Sequence, residues 1–301
     1  MTFDVVGFGA INLDKLFKVD LIAKKEEEGF VTGYKEAAGG SASNTVVGLA
    51  RLQQKTGFIG RVGSDYEGKL LLKEFSKEDV DINGITVQKG GRSGTVMGFV
   101  DPNGDRALYV DPAANDQTEP KDIDLGYVSG SKFLHLSSFV GEKPFQAQKQ
   151  LVKQLTDTKI SFDPGALYAR KGLDALKTLI KRSYVMFPNE LETKLLTGKN
   201  YKQGAQIFSY LGVNIVAVKL GSRGCYVFDG NEGFTVETFK VNAVDTTGAG
   251  DAFCAGFLYG LLKQKDLYEC GRLGNFVASR CVEKMGARTG LPTLAELEAF
   301  F

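Results

Sequence analysis

The stretch VDTTGAGDAFCAGFLYGLL, residues 244–262, places two glycines immediately ahead of an acid and an apolar run. No charged residue occurs over 252–262, where Phe253, Phe257, Leu258, Leu261 and Leu262 sit beside the small Ala252, Ala255 and Gly256. A helix that is apolar all round has to be buried, so the fold must be thick enough to enclose it. Gly248 and Gly250 allow a tight turn with no Cβ in the way, and successive backbone N–H groups, with Ala249 among them, can then face one anion. The free N–H groups of the first turn and the positive end of the helix dipole favour phosphate at such a position. Asp251 is out of character there, because a carboxylate beside an anion site is unfavourable unless it has a task. Accepting the proton of a hydroxyl that attacks phosphorus is one such task. The alternative is a first-turn acid that only complements the dipole.

At 301 residues the chain has room for one large α/β domain with insertions or for two domains. Lys and Arg number 37 against 36 for Asp and Glu, so no basic field draws the chain to nucleic acid or an anionic membrane, and a small-molecule partner is the natural expectation. Cys225, Cys254, Cys270 and Cys281 are scattered without CxxC or metal-ligand spacing, which suits free buried thiols in a reducing compartment. His135 is the single histidine; its setting, KFLHLSS, suits a strand, and no mechanism needing two imidazoles is available. A basic leader with an apolar core is absent from the start of the sequence, and no apolar run reaches membrane-spanning length. The expected location is cytoplasmic.

The chain opens with an apolar strand that runs into Gly7, Gly9, Asn12 and Asp14. GFGAIN is close to GxGxxG, but Asn12 stands at the third glycine and no helical pattern follows, so a Rossmann NAD site is rejected. DKLFKVD reads instead as a short strand, with a charged turn at 24–28 and another extended piece through Tyr34. In GGSASN, residues 39–44, Gly39 and Gly40 act as breakers and Ser41 as the cap of a helix; the small side chains let a ligand lie against the backbone, with Asn44 turned toward it, the alternative being a tight strand-to-helix turn with close packing. Between 82 and 111 the pattern changes to short strands, with SGTVMGFV and RALYVDP joined across DPNGD as a hairpin. Together with the extended pieces over 13–35 this makes a small sheet apart from the main one, suited to act as a lid. From Lys132 a β-then-α alternation resumes, which indicates a parallel sheet covered on both faces, with polar or glycine-rich turns at Asp163, at 189–192 and at 219–224 after its strands. An antiparallel excursion over 222–241 then precedes three final helices.

Taken together, GGSASN, NELE at 189–192, KLGSRG at 219–224 and DTTGAGD at 245–251 resemble the ribokinase-like, or PfkB-type, carbohydrate and nucleoside kinase family, in order and spacing over essentially the whole chain. The resemblance implies a three-layer α/β/α sandwich with a mostly parallel central sheet and a small β-sheet lid, formed by inserts at about 14–35 and 94–111. It also implies transfer of the γ-phosphoryl group of ATP to a hydroxymethyl group. Asp251 matches the family's base, and the backbone of Gly248, Ala249 and Gly250 its anion hole. Asn12, Asp14, Gly39, Gly40, Ser41 and Asn44 match positions that hold sugar hydroxyls. Asn189, Lys219, Gly221, Ser222, Gly224, Gly248, Gly250 and Asn275 match the nucleotide site. Glu192 matches the acid that holds Mg²⁺ through water, although PNELE is also an ordinary helix start with Asn189 as cap. GARTGLP at 286–292 is similar to a segment that binds a monovalent cation, K⁺ for example, together with Asp245, Thr247 and Gly286, but Gly290 stands where relatives offer a hydroxyl. GxxxxGK[ST] is missing, so the phosphate cradle is not a P-loop. Ribose or a related sugar is the first acceptor to expect, a nucleoside the second; a sensor on the same fold would not need Asp251. An exposed small sheet also suits a contact between two copies of the chain.

Overall fold

Strand β1 (Val5–Phe8) is buried at all four residues, with Val5 in one apolar cluster and Val6 and Phe8 in a second. The computed structural model, which describes residues 2–301, repeats this alternation along the main sheet: on the strand Ile215–Lys219, Ile215 and Ala217 face the first cluster, Val216 and Val218 the second. A strand with apolar residues at every position has to be covered on both faces, and the two clusters are those two covers. Nine strands form the sheet. Besides β1 and β4 (Thr56–Gly63) they are β5 (Ile85–Gln88), β8 (Phe133–Leu136), β9 (Lys159–Phe162), β10 (Ser183–Met186), β11 (Ile215–Lys219), β12 (Cys225–Phe228) and β13 (Gly233–Val236), in the order β13-β12-β11-β10-β9-β8-β1-β4-β5. All neighbours are parallel except β12 and β13, the expected antiparallel excursion.

A second sheet has the order β3-β2-β6-β7, from β2 (Asn12–Val19), β3 (Val31–Gly39), β6 (Gly94–Val100) and β7 (Arg106–Asp111). β6 and β7 form the hairpin across DPNGD, and β6 lies parallel to β2. Two boundaries differ from the sequence reading. β5 lies within the 82–111 stretch but pairs with β4 in the main sheet, because the register Gly60↔Ile85 extends the parallel ladder by one strand. β2 begins at Asn12 and β3 ends at Gly39, with those two residues paired, so the small sheet is rooted at the expected acceptor residues themselves.

The Ala249–Leu262 helix runs through the first cluster with residues 252–260 all buried. Its backbone comes close to the Leu267–Val282 helix at Gly256, where an added Cβ would strike the Leu273 carbonyl, and at Gly274, where it would meet the Phe253 ring. No described helix is long and apolar enough to cross a membrane. Residues 198–200, the nearest approach to a P-loop, form a turn instead: left-handed Gly198 ends the Glu190–Thr197 helix and Asn200 caps the Tyr201–Tyr210 helix.

The close crossing at Gly256 is testable. Gly256→Ala should lose about 1–3 kcal/mol through overpacking and unfold at lower temperature; an unchanged midpoint in calorimetry would contradict the close helix contact.

Candidate active site

Gly248 caps the Ala249–Leu262 helix with a left-handed backbone, φ 78°, and a side chain there would collide with Ala287. The turn that brings the helix start to the sheet's carboxyl end therefore needs glycine. In the first turn, Asp251 is half-buried at the edge of a cavity. Its Oδ1 accepts a hydrogen bond from Ser41 Oγ, and its Oδ2 one from Asn44 Nδ2 at 2.8 Å. Burial pushes its carboxyl up to about 6, against the two hydrogen bonds, which favour the ionised form. Each carboxylate oxygen keeps a second lone pair for an incoming hydroxyl proton.

Ser41 does not cap its helix. The cap is Gly40, at φ 103°, a position where any Cβ would run into the Ala10 carbonyl, and Ser41 is the first helical residue with its hydroxyl committed to Asp251. Gly39 lies against Asp14, whose carboxylate would be met by any side chain there. Asp14 is also pushed up to about 6, chiefly by burial, with Asp251 adding and Arg288 opposing. Asn12 is held from behind. Asn115 exchanges hydrogen bonds with the Ile11 backbone at 2.9 and 3.0 Å and donates from Nδ2 to Asn12 Oδ1 at 2.9 Å. Asn12 therefore turns its amide N–H groups outward.

On the other side of Asp251 lies a cavity of about 320 Å³ lined by Ser41, Asp163, Asn189, Glu192, Lys219 and Gly250 among others. The ammonium of Lys219 sits 2.5 Å from Asp163 Oδ2 and 3.3 Å from the place a Gly250 Cβ would occupy. Burial opposes the Lys219 charge, but Asp163, Cys254 and Glu192 together outweigh it and raise the pKa above its ordinary value. Cys254, one turn beyond Asp251, donates its thiol to the same Asp163 oxygen at 3.6 Å. Asn189 and Glu192 form a capping box: Asn189 Oδ1 accepts from Glu192 N at 2.8 Å, and the Glu192 carboxylate accepts from Asn189 N at 2.8 Å and Nδ2 at 2.9 Å. The helix-start reading of PNELE thus holds, and the same carboxylate borders the cavity. Burial raises the Glu192 pKa, while Lys219 pulls it down. Of the three carboxylates that line this cavity, Asp163 is paired with Lys219 and Asp251 is held by Ser41 and Asn44, so Glu192 is the one that fits a hydrated Mg²⁺, which keeps most of its waters and takes phosphate oxygens.

A second cavity, about 430 Å³, opens on the far side of Lys219 and Gly250. Gly221, Ser222, Gly224, Ala249 and Asn275 line it along with Phe239, Val241, Ala278 and Val282. The turn 219–224 follows β11, with Gly221 and Gly224 at φ 61° and 84°. Asn275 forms wall but is no free reader of a ligand, since its Nδ2 donates to the Val236 and Glu237 carbonyls at 2.9 and 3.1 Å. Asp245, Thr247 and Gly286 meet, but through donors. Asp245 accepts from Thr247 N and Oγ1 at 2.9 and 2.7 Å and from Gly286 N at 2.9 Å, with Arg106 of β7 at 4.0 Å. N–H groups and the Thr247 hydroxyl, not carbonyl oxygens, face this carboxylate, and the set does not fit a cation. His135 is a core residue, fully buried, with Nδ1 2.8 Å from Ser161 Oγ.

Four residues of the site carried no role in the sequence reading: Asp163, Asn115, Cys254 and Arg288. Asp163 stood out only as the polar end of a strand. Asn115 and Arg288 act across 103 and 244 positions of sequence, on Asn12 and Asn44, and no local pattern marks them.

Comparison with known proteins agrees with this geometry. The model of the pfkB family carbohydrate kinases matches residues 3–294. An uncharacterized sugar kinase of Archaeoglobus fulgidus is 46% identical over 82% of this chain and 98% of its own. The ATP-dependent ribose-1-phosphate kinase of Halopiger xanaduensis is 30% identical over 98% of this chain and 97% of its own. Among solved structures, the Arabidopsis thaliana ribokinase complexed with ribose and ATP superposes with a TM-score of 0.90 at 25% identity, covering 99% of this chain and 98% of that one. The chain belongs to the pfkB family of carbohydrate kinases, and its fold is ribokinase-like.

Proposed function

We propose that this sugar kinase moves the γ-phosphoryl group of ATP onto the hydroxymethyl group of ribose or a closely related sugar. One observation carries the reading: Asp251, with both oxygens held, stands between the diol-binding chemistry of Asn12, Asp14 and Asn44 and the cavity bordered by Lys219 and Glu192. ATP lies with its base in the larger cavity and its phosphates over the turn 219–224 and the start of the Ala249–Leu262 helix. Asp251 takes the hydroxyl proton as that oxygen attacks phosphorus, and the N–H groups at 248–250 with Lys219 stabilise the charge that gathers on the transferred group. Mg²⁺, held through water at Glu192, supplies further charge neutralisation on the phosphates. Asp14 accepts from one sugar hydroxyl while Asn12 and Asn44 donate to its neighbours. The small sheet closes on the acceptor and keeps water from the phosphoryl group.

A mass-spectrometric screen with ATP and Mg²⁺ over ribose, ribose 1-phosphate, fructose and adenosine tests the acceptor; turnover of adenosine alone would replace the sugar by a nucleoside. With the acceptor in hand, Asp251→Asn should lose about 10²–10⁴-fold in turnover while binding both ligands, and parental turnover would return Asp251 to a structural role. In the parent, turnover should fall tenfold per pH unit below about 6, the value to which burial lifts this carboxyl. The folded state binds that proton more tightly than the unfolded chain, so the associated stability is present at low pH and lost as pH rises through about 6. Asp251→Asn should accordingly raise the melting temperature at pH 8 and change it little at pH 3; the opposite ordering would contradict the raised pKa.

Asp14→Ala should raise the acceptor's KM and leave that of ATP unaltered, losing about 1.5–3 kcal/mol with a charged hydrogen bond. Equal losses for both ligands would remove Asp14 from the acceptor site. Hydrogen exchange reads the lid: acceptor should protect amides of β2, β3, β6 and β7 while β9 changes little. Protection that follows protein concentration and not acceptor would make the small sheet a subunit contact instead.

A further inference from the structure

Arg288 lies in the loop after the Leu267–Val282 helix and packs against the Ser41–Arg51 helix. Its Nε donates to Asn44 Oδ1 at 2.8 Å and its Nη2 to Ser43 Oγ at 2.5 Å, with the guanidinium 5.7 Å from the centre of the Phe75 ring. Among the described residues it forms no ion pair. The nearby Glu78 is already taken by Arg51, through hydrogen bonds of 2.9 and 2.6 Å, and Arg51 also ties down the Arg288 and Leu291 carbonyls at 2.7 and 3.0 Å. Burial lowers the Arg288 pKa to about 10. A half-buried cation that no carboxylate touches costs desolvation, with Glu78, Asp14 and Glu74 acting on it only at longer range.

Building on the kinase reading above, we propose that Arg288 is a positioning residue for the base: by donating to Asn44 Oδ1 it fixes which end of the Asn44 amide faces Asp251. The two ends of an asparagine amide are nearly equal in shape, so packing alone does not choose between them. Arg288 has only donors and the Asp251 carboxylate only acceptors. The amide between them therefore has one satisfactory orientation, oxygen toward Arg288 and nitrogen toward Asp251, the one observed at 2.8 Å on both sides. Without the guanidinium donor only the Asp251 carboxylate holds the amide, so the Asn44 Nδ2 hydrogen bond is less firmly aimed and less polarised. A weaker donor stabilises the ionised base less and moves its titration upward. The other groups that act on Asp251 come from different elements: Ser41, Asp163 after β9, Lys219 of β11, Asp14 of β2, Glu192, Cys254 and Cys281; of these Asp14 also feels the Arg288 charge, which Arg288→Gln and Arg288→Met remove alike, so the difference between the two variants isolates the hydrogen bond.

Arg288→Met retains the stem and removes the donors. We expect turnover to fall roughly ten- to hundredfold, the rate equivalent of one charge-assisted hydrogen bond, with the acidic limb shifted to higher pH and the KM for ATP unchanged. Arg288→Gln, which keeps an N–H donor without charge, should restore the limb and also serves if the methionine variant fails to fold. In an Asn44→Ala background, exchanging Arg288 for Met should cost nothing further. A parental limb in Arg288→Met, or an equal loss with Asn44 absent, overturns the inference. Independently of turnover, the Asp251 carboxyl ¹³C resonance, assigned by its disappearance in Asp251→Asn, should titrate at higher pH in Arg288→Met, and an unmoved titration is equally fatal. A parent chain that phosphorylates nothing in the acceptor panel overturns the kinase reading, while the carboxyl titration still decides the role of Arg288.

Discussion

Everything at the site follows from burying an apolar helix. The Ala249–Leu262 helix cannot lie on a surface, so it is sunk in the core from Ala252 onward and its first turn, with free N–H groups and Asp251, opens into the cavities at the carboxyl ends of the strands. A carboxylate placed there has to be held by donors, and Ser41 and Asn44 come from the start of a second buried helix to hold it. The two helix starts are locked together further along as well, since Thr45 Oγ1 donates to the Asp251 carbonyl at 3.2 Å and a Cβ on Gly48 would press on Ala255. The proposed base is thus positioned by two packed helices, not by a loop, which keeps its geometry rigid.

Around that base the charges are arranged by sign. On the proposed acceptor side, Asp14 and Asp251 stand close enough to raise one another's cost of ionisation, and Arg288 partly offsets it from behind Asn44. On the phosphate side, Asp163 anchors a single ammonium, Lys219, beside the Gly250 backbone. An anion entering the 320 Å³ cavity meets that ammonium and the helix start together, and it competes with Asp163 for the lysine. The small sheet adds to both sides, because its root carries Asn12, Asp14 and Gly39 and its β7 brings Arg106 to within 4.0 Å of Asp245.

Much of this was legible in the sequence, and for identifiable reasons. The buried helix, the glycine turn before it, the hairpin 94–111 and the βα alternation after residue 132 are local patterns of polarity and turn residues, and each appears where its pattern lies. β5 was misjudged because four residues of alternating strand carry no label for the sheet they will join; the parallel register with β4 decides that. Ser41 was misjudged because a serine before an apolar helix satisfies the rule for a cap, whereas the left-handed Gly40 already occupies that position and Asp251, 210 residues away, claims the hydroxyl.

By itself, then, the sequence determined the fold class, the buried helix and the residue types of a phosphoryl-transfer site, because periodicity, glycine and charge act through neighbouring residues. Only the tertiary structure decided the states of those residues: that Asp251 and Asp14 lie in surroundings that raise their pKa to about 6, that Asn275 spends its donors on two carbonyls, that Asp245 faces N–H groups, and that Asn115 and Arg288 orient two amides from behind. Hydrogen-bond direction and desolvation depend on what surrounds a group in space, and the partners of Asn12 and Asn44 arrive from 103 and 244 positions away.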